Sequence, residues 1–80
     1  MRKGVIYEIV DRQSPSLIVG WIRDGVFFNA TQMPPFYDGK VTGNELRSRP
    51  ETGNVVLATI DGLVMSRNGG GRVFDLVPRS

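Results

Sequence analysis

The pair Asp24-Gly25 stands between two apolar, β-prone runs, Leu17-Ile18-Val19-Gly20-Trp21-Ile22-Arg23 and Val26-Phe27-Phe28-Asn29-Ala30. Both central residues of a type I′ turn need φ > 0, and Asp-Gly tolerates that conformation, so the stretch reads as a β-hairpin. Successive strand side chains point to opposite faces. Leu17, Val19, Trp21 and Arg23 are therefore placed on one face, and Ile18, Gly20 and Ile22 on the other. On the second strand Val26, Phe28 and Ala30 oppose Phe27, Asn29 and Thr31. Both faces carry apolar groups. One covers a core, and what the other touches is the functional question.

The rest of the chain repeats the pattern of short strands and turn signals. Residues 3–11 are rich in β-branched side chains and predict a first strand. Gln13-Ser14-Pro15-Ser16 is a turn cluster, and the hairpin follows over about 17–23 and 26–31. Residues 31–39, with Pro34-Pro35 and Asp38-Gly39, predict a loop. A fourth strand is expected over 40–47, interrupted by Gly43-Asn44, and a fifth over 54–60. Asp61-Gly62 turns the chain into Leu63-Val64-Met65, and residues 72–77 predict a last strand or an extended tail. No stretch has helical periodicity. The expected fold is all-β: a small five-stranded barrel over residues 1–61, with a C-terminal extension over 62–80 that adds a strand pair or tail. Closure is the natural way for so short a chain to avoid open sheet edges.

Composition removes several chemistries. The 80 residues include neither cysteine nor histidine. Disulfides, thiolate metal sites and Ser-His or Cys-His catalysis are therefore excluded. No cofactor is expected. The absence of cysteine agrees with a reducing compartment, and no apolar run reaches the ~20 residues of a membrane-spanning helix, so a soluble cytoplasmic protein without membrane contact is expected. Formal charge is +2, with a calculated pI of about 9.5. Eight of the ten cations are arginine, the residue best suited to bidentate phosphate contact and to stacking on bases. Asp11, Asp24, Asp38 and Asp61 fall at predicted turns, where aspartate serves the backbone. Catalysis is not expected.

The hairpin resembles the nucleic-acid-binding core of cold-shock domains, which are five-stranded OB-fold barrels. Leu17-Ile18-Val19-Gly20-Trp21-Ile22 falls on the family motif Lys-Gly-Phe-Gly-Phe-Ile, and Gly25-Val26-Phe27-Phe28-Asn29-Ala30 falls on Asp-Val-Phe-Val-His-Phe. Gly4-Val5-Ile6, Gly39-x-Val41 and Gly53 with Ala58-Thr59-Ile60 are similar to further family elements. Glu8, Leu17, Val19, Asn29 and Ala30 depart from the family's residues. The resemblance implies that Trp21 and Phe27 form a surface stacking pair beside Asn29, while Ile22, Val26 and Phe28 point inward.

The residues thus expected to bind nucleic acid are Trp21, Phe27, Asn29, Arg23, Tyr7, Tyr37 and Lys3. Base stacking on an aromatic ring contributes about 1–3 kcal/mol and tolerates any base. The expected partner is single-stranded RNA or DNA, bound with little sequence preference. Phe36 is expected to plug one end of the barrel. Ser66-Arg67-Asn68-Gly69-Gly70-Gly71-Arg72 reads as a glycine linker or hairpin loop. The alternative function is a protein–protein module, including a homodimer formed through the C-terminal strands.

Overall fold

The computed structural model describes residues 1–79. Eight antiparallel strands follow one another around a closed barrel: β1 (Ile6–Asp11), β2 (Ser14–Arg23), β3 (Val26–Asn29), β4 (Phe36–Thr42), β5 (Glu45–Ser48), β6 (Val56–Asp61), β7 (Val64–Arg67) and β8 (Val73–Arg79). The all-β barrel agrees with the sequence expectation; the count of five strands does not. The segment expected as one fourth strand is divided about Gly43-Asn44 into β4 and β5. The expected loop over 31–39 ends at Phe36, where β4 begins. Residues 64–79 supply β7 and β8, which sit within the barrel wall; Ser80, the end of the expected extension, lies outside the described residues. Among the described residues no helix is long and apolar enough to cross a membrane.

The two ends of the barrel differ. At one end two-residue turns join β2–β3, β4–β5 and β6–β7. Asp24 and Gly25 both have positive φ (51° and 78°), as a type I′ turn requires. The carbonyls of Gly25, Asn44 and Leu63 in these turns accept hydrogen bonds from the amides of Val41, Ile60 and Leu76 on the next strand but one, at 2.7–2.8 Å. At the other end longer loops connect β3–β4, β5–β6 and β7–β8, and the middle one contains a single 3-10 turn, Pro50–Thr52. This second end is called the loop end below.

Cross-strand partners share a face, so the register defines rings of inward side chains. One ring takes an apolar residue from every strand. Ile9, Phe27, Leu46 and Met65 come from the odd strands, opposite Leu76, Ile22, Val41 and Ile60 from the even ones. Six of the eight are buried, and Val41 and Ile60 pack against them. The next ring toward the loop end has a different make-up. Its odd-strand members are polar, Asp11, Asn29, Ser48 and Arg67, and they face Phe74, Gly20, Gly39 and Ala58.

A bulge follows this second ring in three strands. Register slips leave Val19, Asp38 and Leu57 without a partner next to Gly20, Gly39 and Ala58. The segments 19–29, 38–48 and 57–67 therefore share one plan at an interval of 19 residues: bulge, small inward residue, apolar inward residue, two-residue turn, apolar inward residue, polar inward end. β8 and β1 form a fourth pair that lacks the bulge and carries Phe74 in place of the small residue, with Ile6 and Arg79 where a turn would be.

That fourth pairing runs from Ile6↔Arg79 to Asp11↔Phe74 without a slip. Three ion pairs cross it. Arg79 Nε donates to Glu8 Oε1 at 2.5 Å, Arg12 pairs with Asp75 at 2.6 Å, and Arg72 with Asp11, whose side chain is 2% exposed. The Arg12 hydrogen bond, with its positive charge, holds the Asp75 carboxyl below its ordinary value. A lowered native pKa stabilises above the ordinary carboxylate range and ceases to do so as pH falls through the lowered value. Thermal melts of Asp75→Asn are therefore expected to show a shallower loss of stability on acidification than the parent; an identical acid limb would refute this role.

Backbone approach at the bulges tests the fold more severely. A Cβ on Gly39 would lie 2.2 Å from the Arg47 carbonyl oxygen, and one on Gly20 would lie 2.2 Å from that of Phe28. Gly39→Ala is expected to cost about 1–3 kcal/mol or more in urea unfolding. Gly71→Ala, where nothing lies within 4 Å, is expected to change stability little.

Candidate nucleic-acid interface

The two-residue turn at Asp24-Gly25 fixes the pairs Arg23↔Val26, Ile22↔Phe27 and Trp21↔Phe28. Ile22 is buried in the apolar ring, so its partner Phe27 points inward as well, at 8% exposure. The expected surface pair of Trp21 and Phe27 is therefore corrected: the two rings lie on opposite faces of the sheet. Phe28, expected inside, is the outer partner. Its ring stacks on Trp21 with centroids 5.5 Å apart and planes 21° from parallel. Such pairs contribute about 0.5–1.5 kcal/mol beyond their buried area.

Phe28 also pairs with Tyr37 on β4, because the bulge at Asp38 restores Tyr37 to the outer face. Trp21, Phe28 and Tyr37 thus form a row across three adjacent strands, each ring half-buried. Strands lie about 4.8 Å apart, which sets the spacing of the three positions. One step along the strands toward the tight turns runs a second outer row, Arg23, Val26, Lys40 and Arg47. Arg23 and Lys40 are exposed. Arg23 lies 4.0 Å from the Asp24 carboxylate, and Arg47 is held by Glu45 at 2.8 Å. Lys40 makes no ion pair among the described residues. Glu8, the β1 neighbour of Trp21, is engaged by Arg79.

The barrel scaffold does not require aromatic residues in this row. The corresponding outer positions of the second and third segments hold Lys40, Arg47 and Val56, and then Thr59, Ser66 and Val73. All three segments complete the same wall, yet only the first carries rings.

Of the other expected site residues, Arg23 and Tyr37 join this face and three do not. Tyr7 is buried at 5% exposure near the tight-turn end, where its hydroxyl accepts the Arg2 amide at 2.7 Å. Tyr7 is therefore a core residue, because it shares the inward parity of Ile9. Lys3 is exposed in the N-terminal segment at that same end. Asn29 points into the barrel at the loop end. Its amide donates to Asp38 at 3.0 Å, and its carbonyl accepts from Thr31. Phe28 and Lys40 also lie on this face, outside the expected set, although the two-residue turn already determines the parity of Phe28.

The corrected parity predicts opposite responses for neighbouring phenylalanines. Phe27→Ala is expected to destabilise by about 3–5 kcal/mol, the usual cost of emptying a core ring. Phe28→Ala is expected to cost about 1 kcal/mol, mainly the lost ring contact. Denaturant unfolding of the two variants checks this, and a reversed order would contradict the assignment. Comparison with protein-family models, with curated proteins and with solved structures returned no match.

Proposed function

We propose that the outer face of β2, β3 and β4 binds single-stranded nucleic acid. Trp21, Phe28 and Tyr37 offer a stacking platform, and Arg23 and Lys40 lie where they can contact phosphates. The observation that carries this reading is the aromatic row itself, present in one of three equivalent segments and flanked by cations. Flat rings at strand spacing suit unpaired bases, whose faces are available, better than a duplex, whose bases are already stacked. Stacking accepts every base, so the reading implies low sequence preference. Affinity then depends on salt, because phosphate neutralisation releases counterions. The strands expected to form a homodimer, β7 and β8, have both edges paired within the chain.

Trp21 is the single tryptophan, so its emission reports directly on the platform. Quenching by oligo-dT and oligo-U at low salt, reversed by added salt, is the expected result. Phe28→Ala is expected to weaken binding by about 1–3 kcal/mol. Lys40→Gln is expected to reduce the slope of log K against log salt by about one. Emission that stays unchanged with either oligonucleotide at micromolar concentration and low salt would sink the proposal.

A further inference from the structure

The loop end of the barrel opens inward, away from the outer face just described. A half-open cavity of about 370 Å³ lies there, within the range of about 300–1,000 Å³ usual for ligand sites. Its floor is the apolar ring, through Ile9, Phe27, Leu46 and Met65, and its wall includes Phe74 and the bulged Leu57. Asn29, Asp38 and Arg67 supply polar groups around the opening. An eight-stranded barrel is just wide enough to be filled by side chains or to hold one small ligand. At the second ring, the upper ring here, Ala58 and Asn29 are the short side chains that line the cavity and leave that level partly unfilled.

The polar members of the upper ring are not equally satisfied. Asp11 accepts from Arg72 and from the Gln13 amide. Ser48 Oγ accepts from the Val55 amide at 2.9 Å. Asn29 is bonded to Asp38 and Thr31, and Asp38 also lies 3.9 Å from Arg49 Nε. Arg67 differs. It is the cross-strand partner of buried Ala58 and follows Met65 by two residues, so its side chain starts on the inner face. Among the described residues its guanidinium makes no ion pair.

We propose that this opening binds one small amphipathic carboxylate, with a short apolar body on the Phe27–Leu46–Met65 floor and its carboxylate on Arg67. The apolar lining selects the body. The head group is selected by charge and shape: a guanidinium fork matches a carboxylate bidentately. A cationic head would be repelled by Arg67, and the Asp38 carboxylate accepts a hydrogen bond from Asn29, with Arg49 Nε 3.9 Å away.

Titration of isotopically labelled protein with octanoate, and separately with octanol as its neutral counterpart, tests the assignment by chemical-shift mapping. Saturable shifts at Leu57, Ala58, Met65 and Phe74 are expected with octanoate. Arg67→Gln, a change at an exposed strand end, is expected to weaken octanoate about tenfold and to leave octanol unchanged. Absence of saturable shifts would overturn the proposal, as would shifts confined to the outer face of β2–β4. It would equally fail if Arg67→Gln left octanoate binding unchanged, or weakened both ligands alike. The outer-face reading is independent, because an oligonucleotide reports at Trp21 and octanoate at the barrel floor.

Discussion

The pairing of β1 with β8 is the contact on which the other features depend. Three of the four hairpins are held by covalent turns; this one brings together residues from opposite ends of the chain. Closing so long a loop costs more conformational entropy than closing a two-residue turn, and no turn geometry sets its register. Side chains take over that role. Glu8–Arg79, Asp11–Arg72 and Arg12–Asp75 span this seam, and the Arg12 amide donates to the Val73 carbonyl at 3.0 Å. The exposed pair Arg12–Asp75 contributes little stability, whereas Asp11 is buried and would be left an unpaired charge without Arg72. The shared use of the three pairs is positional: a one-residue slip would bring unlike partners together and turn Phe74 and Leu76 out of the core. The apolar ring supplies the stability, and the ion pairs select which closure forms.

Closure also separates the two candidate sites. Once the apolar ring is complete, each strand has an assigned inside and outside. The inside becomes a filled middle with a partly open upper ring. The outside becomes a continuous surface on which residues are free of packing duty. The aromatic row and Arg67, which makes no ion pair among the described residues, are both departures from what the 19-residue plan needs. They stand on opposite sides of the same wall, so a change at one leaves the other in place.

Much of the fold was legible in the sequence. The Asp24-Gly25 hairpin, a reversal beside Asp61 and the drive to close the barrel follow from local chemistry; the reversal itself is Gly62-Leu63, with Asp61 and Val64 paired across it. The strand count was not legible: Gly43-Asn44 read as a flaw in one strand and is the turn between two, and the segment expected as an extension supplies β7 and β8 to the barrel wall. Phe36 to Gly39 was hidden behind Pro34-Pro35, which end a loop immediately before β4 begins. The parity of the phenylalanines is fixed by the turn register, and the family resemblance implies the opposite assignment. A two-residue turn pairs Ile22 with Phe27, so an inward Ile22 places Phe27 inward too. The bulges were not legible: Val19, Asp38 and Leu57 share no side-chain chemistry, and their common role shows only in the cross-strand register. For the same reason the 19-residue plan is nearly invisible as sequence identity. Inward positions keep their apolar or polar character from segment to segment, whereas outer positions diverge.

The seam can be observed directly. In solution, backbone amides of β8 from Val73 to Val77 are expected to exchange with solvent as slowly as those of β2 and β3, and inter-strand nuclear Overhauser contacts should join Ile9 to Leu76. Rapid exchange throughout β8, with β1 to β6 still protected and no contact between Ile9 and Leu76, would show a smaller barrel carrying a loose tail, and would contradict the closed eight-stranded ring.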